Sequence, residues 1–360
     1  MTRTTRRQFL AATAGLALLA ATGCSGDGEQ APPDVEPGAP LWALARGFAS
    51  CPAVFVDDLV LVGGGGALYL LAVETGEERW EAVTDTSPSS PAVAGETLVT
   101  GLGGGGLLAL SMADGRERWS LPTGGYGVFA GPVAVDGLAL VGGLDGVLRA
   151  VDVATGEERW TVGEPDVAGQ FFADPVVADG VLYLGDSRGT LHAVDVATGE
   201  RRWAVETDGS TVSTAVVAEG AVHVGTVLGA LLAVDAATGE ERWTRSVSGT
   251  VSTLAVAGDT LLVPDPGGRR LRALELAGGE QRWEATSAVE VLPVAVAEET
   301  VYFPARRDLL VAASLADGAT RWECPFGRSE APGDALLTLA AAPGRVVAGT
   351  DGAVAVAVRA

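Results

Sequence analysis

Tryptophan recurs along this 360-residue chain at a nearly fixed interval. The eight indoles are Trp42, Trp80, Trp119, Trp160, Trp203, Trp243, Trp283 and Trp322, separated by 38, 39, 41, 43, 40, 40 and 39 residues. A period in that range marks a repeat architecture, in which each unit hides its apolar faces only by stacking on its neighbours.

The phrase before each Trp is also repeated. Residues 150–160 read AVDVATGEERW, 193–203 AVDVATGERRW and 233–243 AVDAATGEERW, with weaker copies at 70–80, 109–119, 273–283 and 312–322. In all seven, Gly stands four residues before the Trp and Arg immediately before it. Upstream lie short apolar runs broken by turn signals, as in PVVADGVLYLGDSRGTLHAVD at 175–195. ADG, DSRG and the later T-G each fit a hairpin turn in which Gly supplies positive φ. Four strands per unit result, and no helical period occurs after residue 40.

Four short antiparallel strands in about 40 residues make one propeller blade. A large ring at one constant position of the outermost strand then acts as the blade-docking wedge, burying roughly 150–250 Å². Its N–H needs a partner, such as a backbone carbonyl across the seam. The preceding Arg is expected to cover that seam or to pair with a local Glu. Seven complete units end at Trp322, and the last three strands, from LLTLAAAPG to AVAVAVRA, lack a closing Trp. The strand LWALARG (41–47) supplies it. The expected fold is therefore an all-β, eight-bladed β-propeller over 41–360, its N-terminal strand completing the last blade and leaving no open sheet edge.

The recurring A-x-D-x-x-T-G-x-x-x-W resembles the tryptophan-docking motif of the PQQ-like (quinoprotein) β-propeller family, across residues 41–360. That resemblance implies, for the dehydrogenases of the family, pyrroloquinoline quinone on the axis above a Ca²⁺ held by Glu and Asn, a nearby catalytic Asp, and commonly a disulfide between adjacent cysteines. This chain has no Asn and no adjacent Cys pair, and Asp174 is the one axial acid that can be placed. The expectation is thus no catalytic residue, no cofactor and no metal. A non-catalytic interaction platform follows, similar in architecture to the family's barrel-assembly lipoproteins. The alternatives are a PQQ- and Ca-dependent dehydrogenase and an envelope ligand-binding sensor.

The first residues carry an address. TRRQFL places Arg6-Arg7 before an apolar run from Leu10 to about Ala21, followed by ATGC. That run is far shorter than the ~20 residues of a spanning helix. Residues 1–23 therefore read as an export signal resembling the twin-arginine type. The small residues before Cys24 resemble a lipoprotein box, with Cys24 lipidated; the alternative is an ordinary cleavage nearby and an incidental cysteine. Residues 24–40 have the composition of a flexible tether, reaching up to about 50 Å. The expected location is the outer face of the cytoplasmic membrane, as a monomeric ring attached through its lipid.

Net charge limits the partners. The chain carries −22, all 24 basic residues are Arg, and removing residues 1–23 leaves 21 basic against 46 acidic residues. Nucleic acid is excluded, because phosphate contacts need clustered positive charge. Attraction to anionic lipid is equally disfavoured. A disulfide between Cys51 and Cys324 would brace the ring closure; otherwise both are small buried hydrophobes. The Gly runs 63–66 and 103–106 lack the following helix of a phosphate loop. His192 and His223 stand alone in different blades and are poor metal ligands.

Strand order assigns the turns to two faces. First-to-second and third-to-fourth turns share one, and both kinds are acidic, as at Asp136, Asp179, Glu157 and Glu200. Second-to-third turns and inter-blade loops share the other. They bring Tyr126, Phe129, Phe171, Phe172, Arg188, Arg269, Arg270, Arg306, Arg307, Phe326 and Arg328. Aromatics and Arg are enriched at binding hot spots, which makes this the candidate face for a protein partner. Alternatively the Phe side chains tuck beneath their own loops.

Overall fold

The computed structural model describes residues 37–44, 49–124, 127–128, 130–163, 169–207, 213–251, 253–265, 267–289, 291, 293–306, 309–325, 336–350 and 355–359. The signal at 1–23, Cys24, the tether up to residue 36, Tyr126, Phe129, Arg307, Phe326 and Arg328 lie outside them.

Thirty-two described strands form eight four-stranded antiparallel sheets, and no helix occurs among the described residues. Blade 1 runs through Ala49–Val56, Leu59–Gly64, Ala67–Ala72 and Glu78–Val83. Blades 2 to 7 repeat that order along the chain. Blade 8 takes Leu336–Ala342, Arg345–Thr350 and Ala355–Arg359, and its outer strand is Pro40–Leu44 from the other end of the chain. The ring is closed by pairing Trp42 with Ala357 and Leu44 with Ala355.

The core is divided among the seams. Blades 4 and 5 share Tyr183, Leu191, Val222 and Leu232, while blades 8 and 1 share Val347, Val60, Val62 and Tyr69. Branched aliphatics suit such sheets because they pack well on a pleated surface.

Seven of the eight seams show one device among the described residues. The indole N–H of a blade donates across the seam to a backbone carbonyl of the next, from Trp42 to Val73 at 2.7 Å through Trp283 to Leu315 at 2.8 Å. The receiving turn presents a Gly at φ 67–84°, where a β-carbon would lie 2.6–3.0 Å from that indole. Glycine is needed twice over at this position, for its dihedral and for the missing side chain. Gly38 completes the circle by lying against Trp322, so the terminal segment contributes the eighth Gly as well as the eighth Trp.

The Arg before each Trp occupies a bulge. In blade 4, Ala193 faces Trp203 and Val194 faces Arg201, so Arg202 is skipped; the same shift skips Arg79, Arg118, Arg159, Arg242, Arg282 and Arg321. A bulge re-aims its side chain. These arginines turn to acids and hydroxyls of their own blade: Arg159 to Asp152, Arg202 to Asp195, Arg242 to Asp235, Arg282 to Asp259 and Arg118 to Thr97. The expected local Glu is the partner of Arg79, at 3.9 Å from Glu77, whereas the best-paired copies use Asp.

No disulfide joins Cys51 and Cys324. Cys324 is a buried thiol in the blade 7–8 cluster, and Cys51 is a buried thiol beneath Gly63 in blade 1.

Candidate functional site

The two faces differ in how their charges are handled. On the acidic face, the hydrogen bond from Arg159, with help from the backbone N–H groups of Thr155 and Ala154, holds the Asp152 carboxyl down to about 2. Arg282 does the same for Asp259, also to about 2. Asp195 and Asp235 are lowered likewise by Arg202 and Arg242. These locks sit at the solvent boundary and leave Glu157 and Glu200 exposed beside them.

On the opposite face, the second-to-third turns send their acids inward. Among the described second-to-third turns the acids are Asp145, Asp186 and Asp265, which are 3%, 5% and 0% exposed. Each meets a base from the following strand: Asp145 pairs with Arg149, Asp186 with His192 at 3.0 Å, and Asp265 with Arg272 at 3.0 Å. What remains outward in those turns is apolar or cationic, while Asp85 and Glu206 are exposed on the adjoining inter-blade segments. Phe172 is 46% exposed, and Leu228 and Val83 are each 71% exposed. All three lie on this side, at the approach to blade 4, the second-to-third turn of blade 5 and the end of blade 1. Arg188, Arg269 and Arg306 are exposed on neighbouring turns.

The sequence-expected members of this face separate into groups. Phe171 is 6% exposed and packs into the blade 3–4 seam with Leu148, Leu182 and Leu184, so this ring belongs to the core. Phe172, its neighbour, points out. Arg270 is tied back to Glu284 at 3.2 Å. Leu228 and Val83 were not legible as exposed residues, since each continues an apolar pattern. The isolation expected for His192 is corrected: the DSRG turn brings Asp186, six positions earlier, against it. Two backbone N–H groups, from Arg188 at 2.9 Å and Thr190 at 3.0 Å, hold the other oxygen of that carboxylate. Burial raises the Asp186 carboxyl, but these bonds outweigh it and leave the group below its usual range. Among the described residues His223 finds no hydrogen-bond partner for either ring nitrogen; it is fully buried against Trp243 and is lowered to about 4, chiefly by burial.

The axis offers a sparse donor set. Asp174, before the inner strand Val176–Ala178 of blade 4, accepts a hydrogen bond from the Gly131 N–H, and burial raises its carboxyl. Ser90 and Gly131 stand beside it. Among the described residues, no group of three or more His, Cys, Asp or Glu could hold a metal ion. One carboxyl biased toward its neutral form does not fit a Ca²⁺–quinone pair, which needs several ionised or carbonyl oxygens.

Comparison with known proteins agrees with the fold. No curated protein matches the chain in sequence. A computationally designed protein, Ika8, superposes with a TM-score of 0.78 at 16% identity, covering 89% of this chain and 99% of its own. BamB from Moraxella catarrhalis gives 0.71 at 17% identity, covering 89% and 96%, and quinohemoprotein alcohol dehydrogenase from Comamonas testosteroni gives 0.72 at 13%, covering 89% and 76%. A designed protein, a BamB and a dehydrogenase share the fold, so the fold alone does not carry the function. The family profile described as "Outer membrane protein assembly factor BamB" matches residues 14–128, 144–290 and 271–360, and the chain belongs to that family of PQQ-like repeat propellers.

Proposed function

We propose that the chain is a non-catalytic interaction platform of the cell envelope, BamB-like in architecture. It is exported through the twin-arginine signal and held at the outer face of the cytoplasmic membrane by a lipid on Cys24. A protein partner docks on the face of the inter-blade loops. The observation that supports this reading is the asymmetry of charge and apolarity. One face spreads its carboxylates into solvent, while the other buries Asp145, Asp186 and Asp265 and exposes Phe172, Leu228, Arg188 and Arg269. Desolvating such a face on binding strands no carboxylate of those turns, which keeps the cost of docking low. A dehydrogenase reading has the likeness of fold in its favour and the sparse axial donor set against it.

Crosslinking in native membranes tests the proposal. The double variant Phe172→Asp/Leu228→Asp is expected to lose at least about tenfold in partner capture, the effect of removing a hot spot. A control on the acidic face, Glu157→Ser/Glu200→Ser, is expected to capture as the wild type does. Equal capture by both variants would reject the face. Cys24→Ala is expected to move the protein into the soluble fraction, and retention in membranes would reject the anchor.

A further inference from the structure

Blade 8 has a cavity of about 190 Å³ where other blades hold the guanidinium that precedes their Trp. In blade 5 that guanidinium, of Arg242, donates to the carbonyls of Glu219 and Gly220 and to the Asp235 carboxylate. Strand register gives the blade 8 counterpart of each group. Asp235 lies opposite Ala221 as Arg359 lies opposite Arg345. The turn Glu219-Gly220 corresponds to Pro343-Gly344, and the bulged Arg242 corresponds to Leu41. Leu41, Pro343, Gly344, Arg345 and Arg359 all line the cavity, and Glu74 of blade 1 completes it.

The charges at this place are reversed. Leu41 brings no cation, and Arg359 stands where blades 3, 4 and 5 place Asp152, Asp195 and Asp235. Arg345 adds a second guanidinium at a position held in those blades by Leu138, Val181 and Ala221. Like charges directly opposite on paired strands destabilise each other, and an anion between them removes the conflict. Arg345 is paired with Glu74, whereas the exposed Arg359 has no acid partner among the described residues.

The lining residues narrow the choice of anion. Two guanidiniums face one carboxylate, so a single negative charge balances the wall and a second would meet Glu74 uncompensated. The planar fork of Arg matches a carboxylate. Leu41 and Pro343 offer hydrocarbon contact beside it. A cavity of about 150 Å³ accommodates benzene, so the volume here suits a molecule of about six heavy atoms.

We infer that this cavity binds a small aliphatic monocarboxylate, its carboxylate held between Arg345 and Arg359 and its hydrocarbon against Leu41 and Pro343. The site lies on the acidic face, at the seam that closes the ring, and does not depend on the partner face. The carboxylate can be that of a free short-chain acid or of a glutamate side chain on another polypeptide.

Calorimetry and NMR on the purified full chain would test it at pH 8, with butyrate, 1-butanol and inorganic phosphate as probes and sodium chloride at matched ionic strength. Butyrate is expected to bind one to one, with shifts confined to Leu41–Leu44, Gly344–Arg345 and Arg359. The neutral alcohol and the phosphate dianion are expected to bind at least about tenfold more weakly, the value of about one charge-assisted hydrogen bond. Arg359→Gln is expected to lose a similar factor, and Glu74→Gln to gain several-fold by freeing Arg345. Leu41→Arg/Arg359→Asp rebuilds the arrangement of blade 5 and is expected to abolish binding; Arg359→Gln, at an exposed position, decides the question if that double variant unfolds. The same shifts from sodium chloride, equal affinity for 1-butanol, no saturable binding, or an unchanged affinity in Arg359→Gln would each overturn the inference. N-Acetylglutamate α-amide separates the sources: binding of it together with butyrate indicates a glutamate side chain, and binding of butyrate alone indicates a free acid. Phe172→Asp/Leu228→Asp is expected to leave butyrate affinity unchanged, so the failure of one proposal does not carry the other with it.

Discussion

Blade 4 and blade 8 meet the same packing problem with different parts. In blade 4 the sequence T-G-E-R-R-W places Gly199 under Trp160, puts Arg202 in the bulge and returns its guanidinium to Asp195. In blade 8 the corresponding stretch is P-G-A-P-L-W. Gly38 lies against Trp322 and Trp42 reaches Val73, but Leu41 takes the bulge position that Arg holds elsewhere. The guanidinium reappears from another strand: Arg345 pairs with Glu74 of blade 1, an ion pair spanning 271 positions of sequence. The docking ring thus recurs at every seam, while the Arg lock is a feature of blades made in one continuous piece. Blade 8 joins the two ends of the chain, and its outer strand carries no Arg lock of its own.

The indole offers the strongest way to break this comparison. Trp42→Ala and Trp203→Ala each remove a half-buried ring and its N–H bond, and each is expected to cost about 2–4 kcal/mol in denaturant melts. The two should differ in pathway. Blade 4 is covalently continuous on both sides, so Trp203→Ala lowers global stability. Trp42→Ala is expected to release residues 37–44 first, seen as early proteolysis near the N-terminus below the main transition. Identical proteolysis profiles for the two variants would show that closure is no weaker than an internal seam.

Blade 5 gives a second contrast, with blades 4 and 7. Tyr183 and Tyr302 lie beside Trp203 and Trp322, and the same strand position in blade 5 is His223, beside Trp243. The Tyr183 hydroxyl finds a carbonyl, that of Ala236, at 3.1 Å, whereas His223 has no hydrogen-bond partner among the described residues. Its folded pKa of about 4 lies below the unfolded value near 6.5. The unfolded chain then binds more protons between those values, so stability falls as pH drops through that window and the loss saturates below it. The shift corresponds to about 3 kcal/mol. His223→Leu is expected to flatten the unfolding curve between pH 6.5 and 4, measured by urea melts. An unchanged slope would remove His223 as its cause.

Much of the ring was legible because Trp spacing and hairpin turns are local signals that recur. Recurrence separates structural residues from incidental ones. Gly38 was equally visible, four places before Trp42, yet its role needs the circle to be closed. The pairing of His192 with Asp186 was harder to see, since it depends on how one four-residue turn folds back. Phe171 and Phe172 mark where pattern reading fails. They adjoin in an irregular loop, where no period of two assigns one ring inward and the next outward. The acids of the second-to-third turns looked like any turn acids, and their burial depends on a base supplied from the next strand.

The smallest expected effect separates the two kinds of arginine. Arg202 and Asp195 pair within one blade near solvent, and such pairs contribute little to global stability. Arg202→Ala is expected to move the melting temperature by less than about 2 °C. Arg345→Ala is expected to change it by as little, since Glu74 is largely exposed. Their local consequences differ, however. Arg345 bridges the seam that the outer strand Pro40–Leu44 must close, so its removal is expected to speed hydrogen exchange at Leu41 to Leu44 several-fold. Added salt should reproduce that change in the wild type by screening the pair. Arg202→Ala has no path to that strand and should leave its exchange unaltered. If Arg345→Ala also leaves it unaltered, the ion pair is incidental and the closing strand is held by Trp42, Gly38 and the ladder alone.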